Sequence, residues 1–290
     1  MANAIQLITK YIAMLDEIYQ REATTSSLDG DISLVRAGAN TNEIMIPRIS
    51  MSGLAEYSRN SGYVQGSVNL EWQTVRFNFD RGRRFTVDAM DNEETAGMAF
   101  GMLSSEFIRT KVVPELDAFR YATYAGLTGI STATANISTG LQTLEALRIA
   151  TNQMDEDQVP IEDRRLRITP TLLTNAQNVD TTTSKDILGR FGEIVQVPQV
   201  RFYSAINQLD GKTSGEEEGG FEKAAGAKNI NFMVIHKPAL LQYTKHQVSK
   251  AFRPEENQFD DGWVFPFRSY GLADAYQNKL AGIYAHFATV

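Results

Sequence analysis

The chain has 290 residues, 42% apolar and 22% charged, enough to bury a substantial core in one large or two small domains and too apolar for long disorder. Its 28 Lys and Arg against 35 Asp and Glu leave a formal charge of −7, which disfavours wholesale wrapping of nucleic acid but leaves room for local basic patches. The absence of cysteine excludes disulfides, zinc–thiolate sites, iron–sulfur clusters and thiol catalysis, and fits folding in a reducing cytoplasm. No secretory leader pattern opens the chain, and no apolar run approaches the roughly 20 residues of a bilayer span, so a soluble protein is expected.

Residues 3 to 21 place Ile5, Ile8, Ile12, Leu15 and Tyr19 on one helical stripe. The following "REATTSSLDGDI" reads as a flexible connector, so the helix is an arm that docks on its own domain or on something else. "EIMIPRISM" reads as an edge or irregular strand because of its proline. "SVNLEWQTVRFNF" alternates in two phases: Val68, Leu70 and Trp72 on one face, then Val75, Phe77 and Phe79 on the other. The slip near Gln73 predicts a bulge or bend. "DRG" reads as a tight turn and "RRFTVD" as the returning strand of a long projecting hairpin.

From Asp91 the period becomes helical. Ala96, Phe100, Leu103, Phe107, Val112, Leu116 and Phe119 form a stripe over roughly eight turns. Asp91 and Glu94 have the form of a capping box, and Pro114 predicts a kink. Beyond it lies an α/β region: a helix over 140–153 with Leu141, Leu144 and Leu147 on its apolar side, a strand "RLRITP", a helix from near Pro170, and strands "EIVQVPQVRFY" and "INFMVIH". The Gly-rich acidic stretch from 207 to about 230 is a long surface loop, and residues 248–290 are strand-rich and aromatic.

Enzyme signatures are missing. "DGKTSG" ends like a phosphate-binding loop, but Ile206 stands where the first glycine is needed. "DEDQVP" starts like a calcium loop, but Pro160 occupies the position that demands glycine. His236, His246 and His286 match no metal-ligand spacing. No catalytic residue, cofactor or metal is expected, and the reading is of a protein that is not an enzyme. The charged stretch "FNFDRGRRFTVDAMDNEET" could be a nucleic-acid arm, an acid–base cluster or a contact with a neighbouring subunit. Residues 43–90 carry six Arg and no Lys, and guanidinium forks suit partly buried carboxylate pairing, which favours the contact. The expected subunit-interface residues are Trp72, Arg76, Phe77, Asp80, Arg81, Arg83, Arg84 and Asp88, with Pro114 as the hinge of the long helix.

"DRGRRFTVDAMDNEET", "GMLSSEFIRTKVVPELDAFRYA" and the ending "INFMVIHKPALLQYTK…FRPEENQ…WVFPFRSYG…NKLAGIYAHF" closely resemble, in that order, tailed-bacteriophage major capsid proteins of the Hong Kong 97-type fold. The resemblance runs from about residue 43 to the end. It implies an α+β chain with an N-terminal arm (1–42), an extended E-loop β-hairpin (43–90), a P-domain spine helix (91–130), an axial α/β A-domain (131–240) and P-domain C-terminal strands (241–290). The implied role is to tile an icosahedral shell around a double-stranded DNA genome. The implied partners are further copies of the chain in pentamers and hexamers, a portal protein and DNA held without sequence specificity, and no membrane. The expected location is the virion capsid, reached from the host bacterial cytoplasm. Some relatives cross-link through an E-loop lysine; residues 43–90 have none, so no such bond is expected. About forty residues precede the hairpin, so a separate scaffolding protein or none is expected.

Two other classes compete. An encapsulin-like nanocompartment has the same fold and encloses cargo enzymes, and neighbouring genes would separate it from a phage shell. A soluble DNA-binding protein would show salt-sensitive duplex binding by the isolated subunit.

Overall fold

The computed structural model of the protein describes residues 23–30, 36–37, 43–60, 62–89, 106–179, 181–250, 252–257 and 261–289. Its early strands are β1 (Arg36–Ala37), β2 (Glu43–Met51), β3 (Val68–Arg76) and β4 (Phe79–Asp88). The middle of the chain supplies β5 (Ser131–Thr134), β6 (Arg164–Ile168), β7 (Glu193–Gln196), β8 (Ile206–Leu209) and β9 (Gly220–Lys223). β10 (Ile230–His236), β11 (Leu240–Ser249), β12 (Gly262–Ala275) and β13 (Ile283–Phe287) complete the strands. The α-helices are α1 (Val113–Ala125), α2 (Gly140–Glu156), α3 (Pro170–Gln177) and α4 (Thr181–Leu188).

"INFMVIH" and "IYAHF" alternate their side chains between two cores, and this alternation organises the body. β10 and β13 lie in the middle of a mixed five-stranded sheet of order β5-β13-β10-β6-β7. Phe232, Val234 and Tyr284 face Leu144, Leu147 and Met154 of α2, Leu172 and Leu173 of α3, and Ile187 of α4. Met233, Ile235, Ile283 and Ala285 face the opposite way, onto Tyr121 and Tyr124 of α1. A register shift between Ile230 and Phe232 lets Ile230 join that second core. α2 starts as a capping box: Gln142 N donates to Thr139 Oγ1, and Thr139 N donates to Gln142 Oε1, both at 3.3 Å. Leu141, expected on the apolar side of this helix, is 68% exposed; it lies in the first turn, before α2 reaches the core at Leu144.

A three-stranded sheet has the order β11-β12-β4. Here the structure corrects the predicted turn at "DRG". β4 runs unbroken from Phe79 to Asp88 and pairs along its whole length with β12, from Gly271 opposite Phe79 to Gly262 opposite Asp88. Gly82 serves close approach between strands instead of a turn, since a Cβ there would lie 2.7 Å from the Phe267 carbonyl oxygen. The projecting hairpin is β2–β3, in continuous antiparallel register from Glu43 opposite Arg76 to Met51 opposite Val68. The bulge expected near Gln73 is absent, and the phase change has another cause, given below. β2 is also not simply an edge strand: β1 pairs with it at Ile44 and Met45.

The stripe expected from Asp91 onward is described from Glu106; the Asp91–Glu94 capping box and the helix over 3–21 fall outside the described residues. Residues 108–112 form a π-helical turn, closed by Val113 N donating to the Ile108 carbonyl, and α1 continues without a break in helical backbone. Pro114 lies in the first turn of α1. The wider turn before it takes up the ladder position that a proline cannot serve, which explains how a proline sits inside a continuous helical path.

The segment read as a flexible connector is a buried lock where it is described. Asp117 of α1 has no exposed surface and accepts from Thr24 N (3.0 Å), Thr24 Oγ1 (2.8 Å), Thr25 N (3.2 Å) and Thr25 Oγ1 (2.7 Å). Arg201 closes on the same carboxylate at 3.4 Å, and Arg120 donates to Thr25 Oγ1 at 2.8 Å. Gln242 of β11 donates to the Thr25 carbonyl at 2.7 Å, while Ser27 donates to Glu193 of β7 at 2.9 Å. Leu28 completes the plug in the second core. Such a polar turn and short 3-10 helix can lie against the core because their donors and acceptors are matched side by side.

Candidate subunit interface

The phase change in β3 follows from which face of the hairpin meets the body. Near its base, Ile44, Ile46 and Val75 pack on Leu241 and Leu272, with Phe77 alongside. The opposite face carries Pro47, Ile49 and Met51 of β2, directly across from Trp72, Leu70 and Val68 of β3. These six form a continuous apolar ladder open to solvent, with Met51 71%, Val68 74% and Trp72 43% exposed. Leu54, Tyr57, Tyr63 and Val64 extend the exposed apolar surface to the tip, where Ser58 and Gly62 close the loop. Regular alternation in a strand that leaves the body needs no bulge: its inward face ends where the body ends, and its apolar residues change face there.

The residues expected at the interface divide into two groups. Trp72 and Arg76 lie on the hairpin, where Arg76 pairs with Glu43 at 3.1 Å across the strands. Phe77 stacks on Tyr270 with centroids 4.9 Å apart, beneath Lys245 at 4.9 Å. Asp80 takes a two-pronged bond from Arg268 at 2.8 and 2.7 Å, which holds its carboxyl below the ordinary range. Arg81 reaches Glu115 at 2.6 Å and the Leu209 carbonyl at 2.7 Å, and Arg83 reaches the Glu217 carbonyl at 2.9 Å. Arg84 is exposed opposite Pro266, and Asp88 ends the strand opposite Gly262. Phe77, Asp80, Arg81 and Arg83 thus make contacts inside their own subunit, and Pro114 sits beside the π-turn.

Two features went unread in the sequence. The ladder across β2 was hidden because it depends on register, which the hydrophobic pattern of one strand does not reveal. The π-turn did leave a signal: the helical stripe steps by five residues from Phe107 to Val112, where an α-helix steps by three or four. Among the described residues no group of three or more His, Asp and Glu is placed to hold a metal ion, and no helix is long and apolar enough to cross a membrane.

No family model matches the sequence, and no curated protein matches it. Solved structures do. A structure from Mycobacterium phage Che8 superposes with a TM-score of 0.62 at 12% identity, over 91% of this chain and 90% of that one. The capsid of the cyanophage P-SCSP1u gives 0.55 at 15% identity, over 89% and 87%. A virus-like particle from Pyrococcus furiosus gives 0.56 at 10% identity, over 97% and 99%. Each of these matches spans most of the chain, and the chain has the Hong Kong 97-type fold found in tailed-phage capsid structures.

Proposed function

We propose that the protein is a structural, non-enzymatic major capsid protein that self-assembles into the icosahedral shell around a tailed phage's double-stranded DNA. The observation that carries this reading is the apolar ladder on a hairpin that projects from the body. An exposed patch of that kind marks a protein contact, and each Leu- or Ile-sized side chain fully covered contributes about 1.5–3 kcal/mol. A second copy of the chain is the partner that a shell supplies. The clasp is then the hairpin 43–76, with Trp72 and its ladder as anchors and Arg76 fixing register at the rim. β4 belongs with the peripheral sheet, and 131–240 is the axial region that gathers at the five- and sixfold positions. The net negative charge suits an inner wall along which DNA moves without sticking. A portal, a separate scaffolding protein, assembly in the host cytoplasm, and bending of the spine at Pro114 complete the proposal.

A second reading, a cellular compartment enclosing cargo, is favoured by the likeness to the Pyrococcus furiosus particle over nearly the whole chain. Portal and terminase genes beside this one, as against a cargo enzyme gene, separate the two.

The test is negative-stain electron microscopy of the protein expressed alone, wild type beside Pro114→Ala. Closed shells, or rings of five and six subunits, support the proposal, and a monomer that never assembles at high concentration defeats it. Pro114→Ala shells that expand as wild type does would reduce the kink to architecture.

A further inference from the structure

The long acidic excursion between β8 and β9 does not hang free. Arg81 Nη2 donates to the Leu209 carbonyl at 2.7 Å and the Gly220 carbonyl at 3.2 Å, gripping both ends of the loop. Arg83, two residues along the same face of β4, donates to the Glu218 and Glu217 carbonyls at 3.2 and 2.9 Å. Gly211 and Gly219, both at positive φ, flank the Arg83 guanidinium, and a Cβ on either would come within 3.0 Å of its Nη1. The loop is therefore shaped around that side chain.

Its other supports are internal. Asp210 Oδ1 accepts from Lys212 N at 2.7 Å and Thr213 N at 2.8 Å, and Glu216 N and Gly219 N close further turns. Residues 203–226 bury no side chain fully, and a cavity of about 1010 Å³ separates the loop from Phe79, Phe85, Phe107 and Phe267. A preformed loop with no core anchor, held by two guanidinium groups, can lift as a unit without disturbing either core. Glu115 holds the other side of Arg81 at 2.6 Å, immediately after Pro114.

We propose that residues 209–220 form a releasable strap, fastened to β4 by Arg81 and Arg83 and positioned from the spine helix by Glu115. The strap makes the attachment between the peripheral sheet and the β8–β9 hairpin adjustable, and it couples that attachment to the first turn of α1. This goes beyond the shell reading and stands without it.

Hydrogen–deuterium exchange on wild type, Arg83→Ala, Arg83→Lys and Glu115→Gln protein, all in the same particle state, tests it. Arg83→Ala is expected to raise exchange across 206–223 by about tenfold or more while 230–236 and 283–287 keep wild-type rates. Arg83→Lys, which cannot span two carbonyls, and Glu115→Gln, which weakens the positioning of Arg81, are expected to raise it by smaller factors. Unchanged exchange in the strap of Arg83→Ala overturns the proposal, as does faster exchange in strap and cores together.

Discussion

The polar run Thr24–Ser27 is drawn into the body, and the apolar ladder from Pro47 to Trp72 stands outside it. The two segments sit close together in the chain and invert the usual rule that apolar residues are inside. The inner segment is tolerated because Asp117, Arg120, Gln242 and Glu193 match its groups one by one, with Arg201 supporting Asp117, so burial leaves little unpaired. The outer one stays largely exposed on the subunit, as the proposed contact with another chain requires. The contrast shows that burial in this fold follows satisfaction of contacts, polar or apolar, and that a segment's composition alone does not decide its side.

Breaking the inner half should cost most. Asp117→Ala strands Arg201 and four hydrogen-bond donors in a dry site and is expected to lower stability by about 3–5 kcal/mol in urea unfolding. If that variant does not fold, Thr24→Val, which loses one donor to Asp117 and a 2.9 Å contact with Tyr121, should still cost about 1–3 kcal/mol. Midpoints equal to wild type would mean that the lock carries no stability.

A smaller effect is expected from acid. Burial pushes His286 down to about 4, and its neutral Nδ1 accepts from Asn231 Nδ2 at 3.0 Å, a bond assigned from the neutral ring. The unfolded ring titrates near its ordinary value, so between the two values the unfolded chain binds more protons. The contribution is then whole above about pH 6.5 and is lost as pH falls towards 4. Allowing for solvent screening, the loss is about 2 kcal/mol. Urea midpoints measured along that pH range should slope less in His286→Gln; equal slopes would remove His286 from the account.

The outer half should be almost silent in the free subunit. Ile49→Thr with Leu70→Thr, a cross-strand pair of exposed side chains, keeps strand propensity and should shift unfolding by less than about 0.5 kcal/mol. The same protein should fail to form particles under the microscope. A large stability loss would show that the ladder is packed within its own chain, and normal particles would move the interface elsewhere.

Much of the body was legible residue by residue. β10 lies in the strand read at "INFMVIH", α3 begins at Pro170 in a favoured first-turn position, and the overall order of hairpin, spine and C-terminal strands carried the resemblance. The candidate interface was legible only in part. Trp72 stands on the exposed ladder, but Asp80, Arg81 and Arg83 lie on β4 and find partners in β12, α1 and the strap. The turn expected at "DRG" came from reading its local turn chemistry, when the glycine answers to a carbonyl 185 positions further along the chain at Phe267.

By itself the sequence determined what depends on neighbours within a few residues: helical stripes, strand alternation, the helix start near Pro170, and the absence of thiol chemistry. Tertiary structure alone decided which strands pair, which face of the hairpin is left bare, and that Thr25 within "TTSS" is buried. The physical reason is range. Backbone sterics and side-chain periodicity act over a turn or a pleat, whereas register and the matching of buried polar groups are settled across longer separations, from Met51 opposite Val68 in the hairpin to Thr24 with Asp117, 93 positions apart.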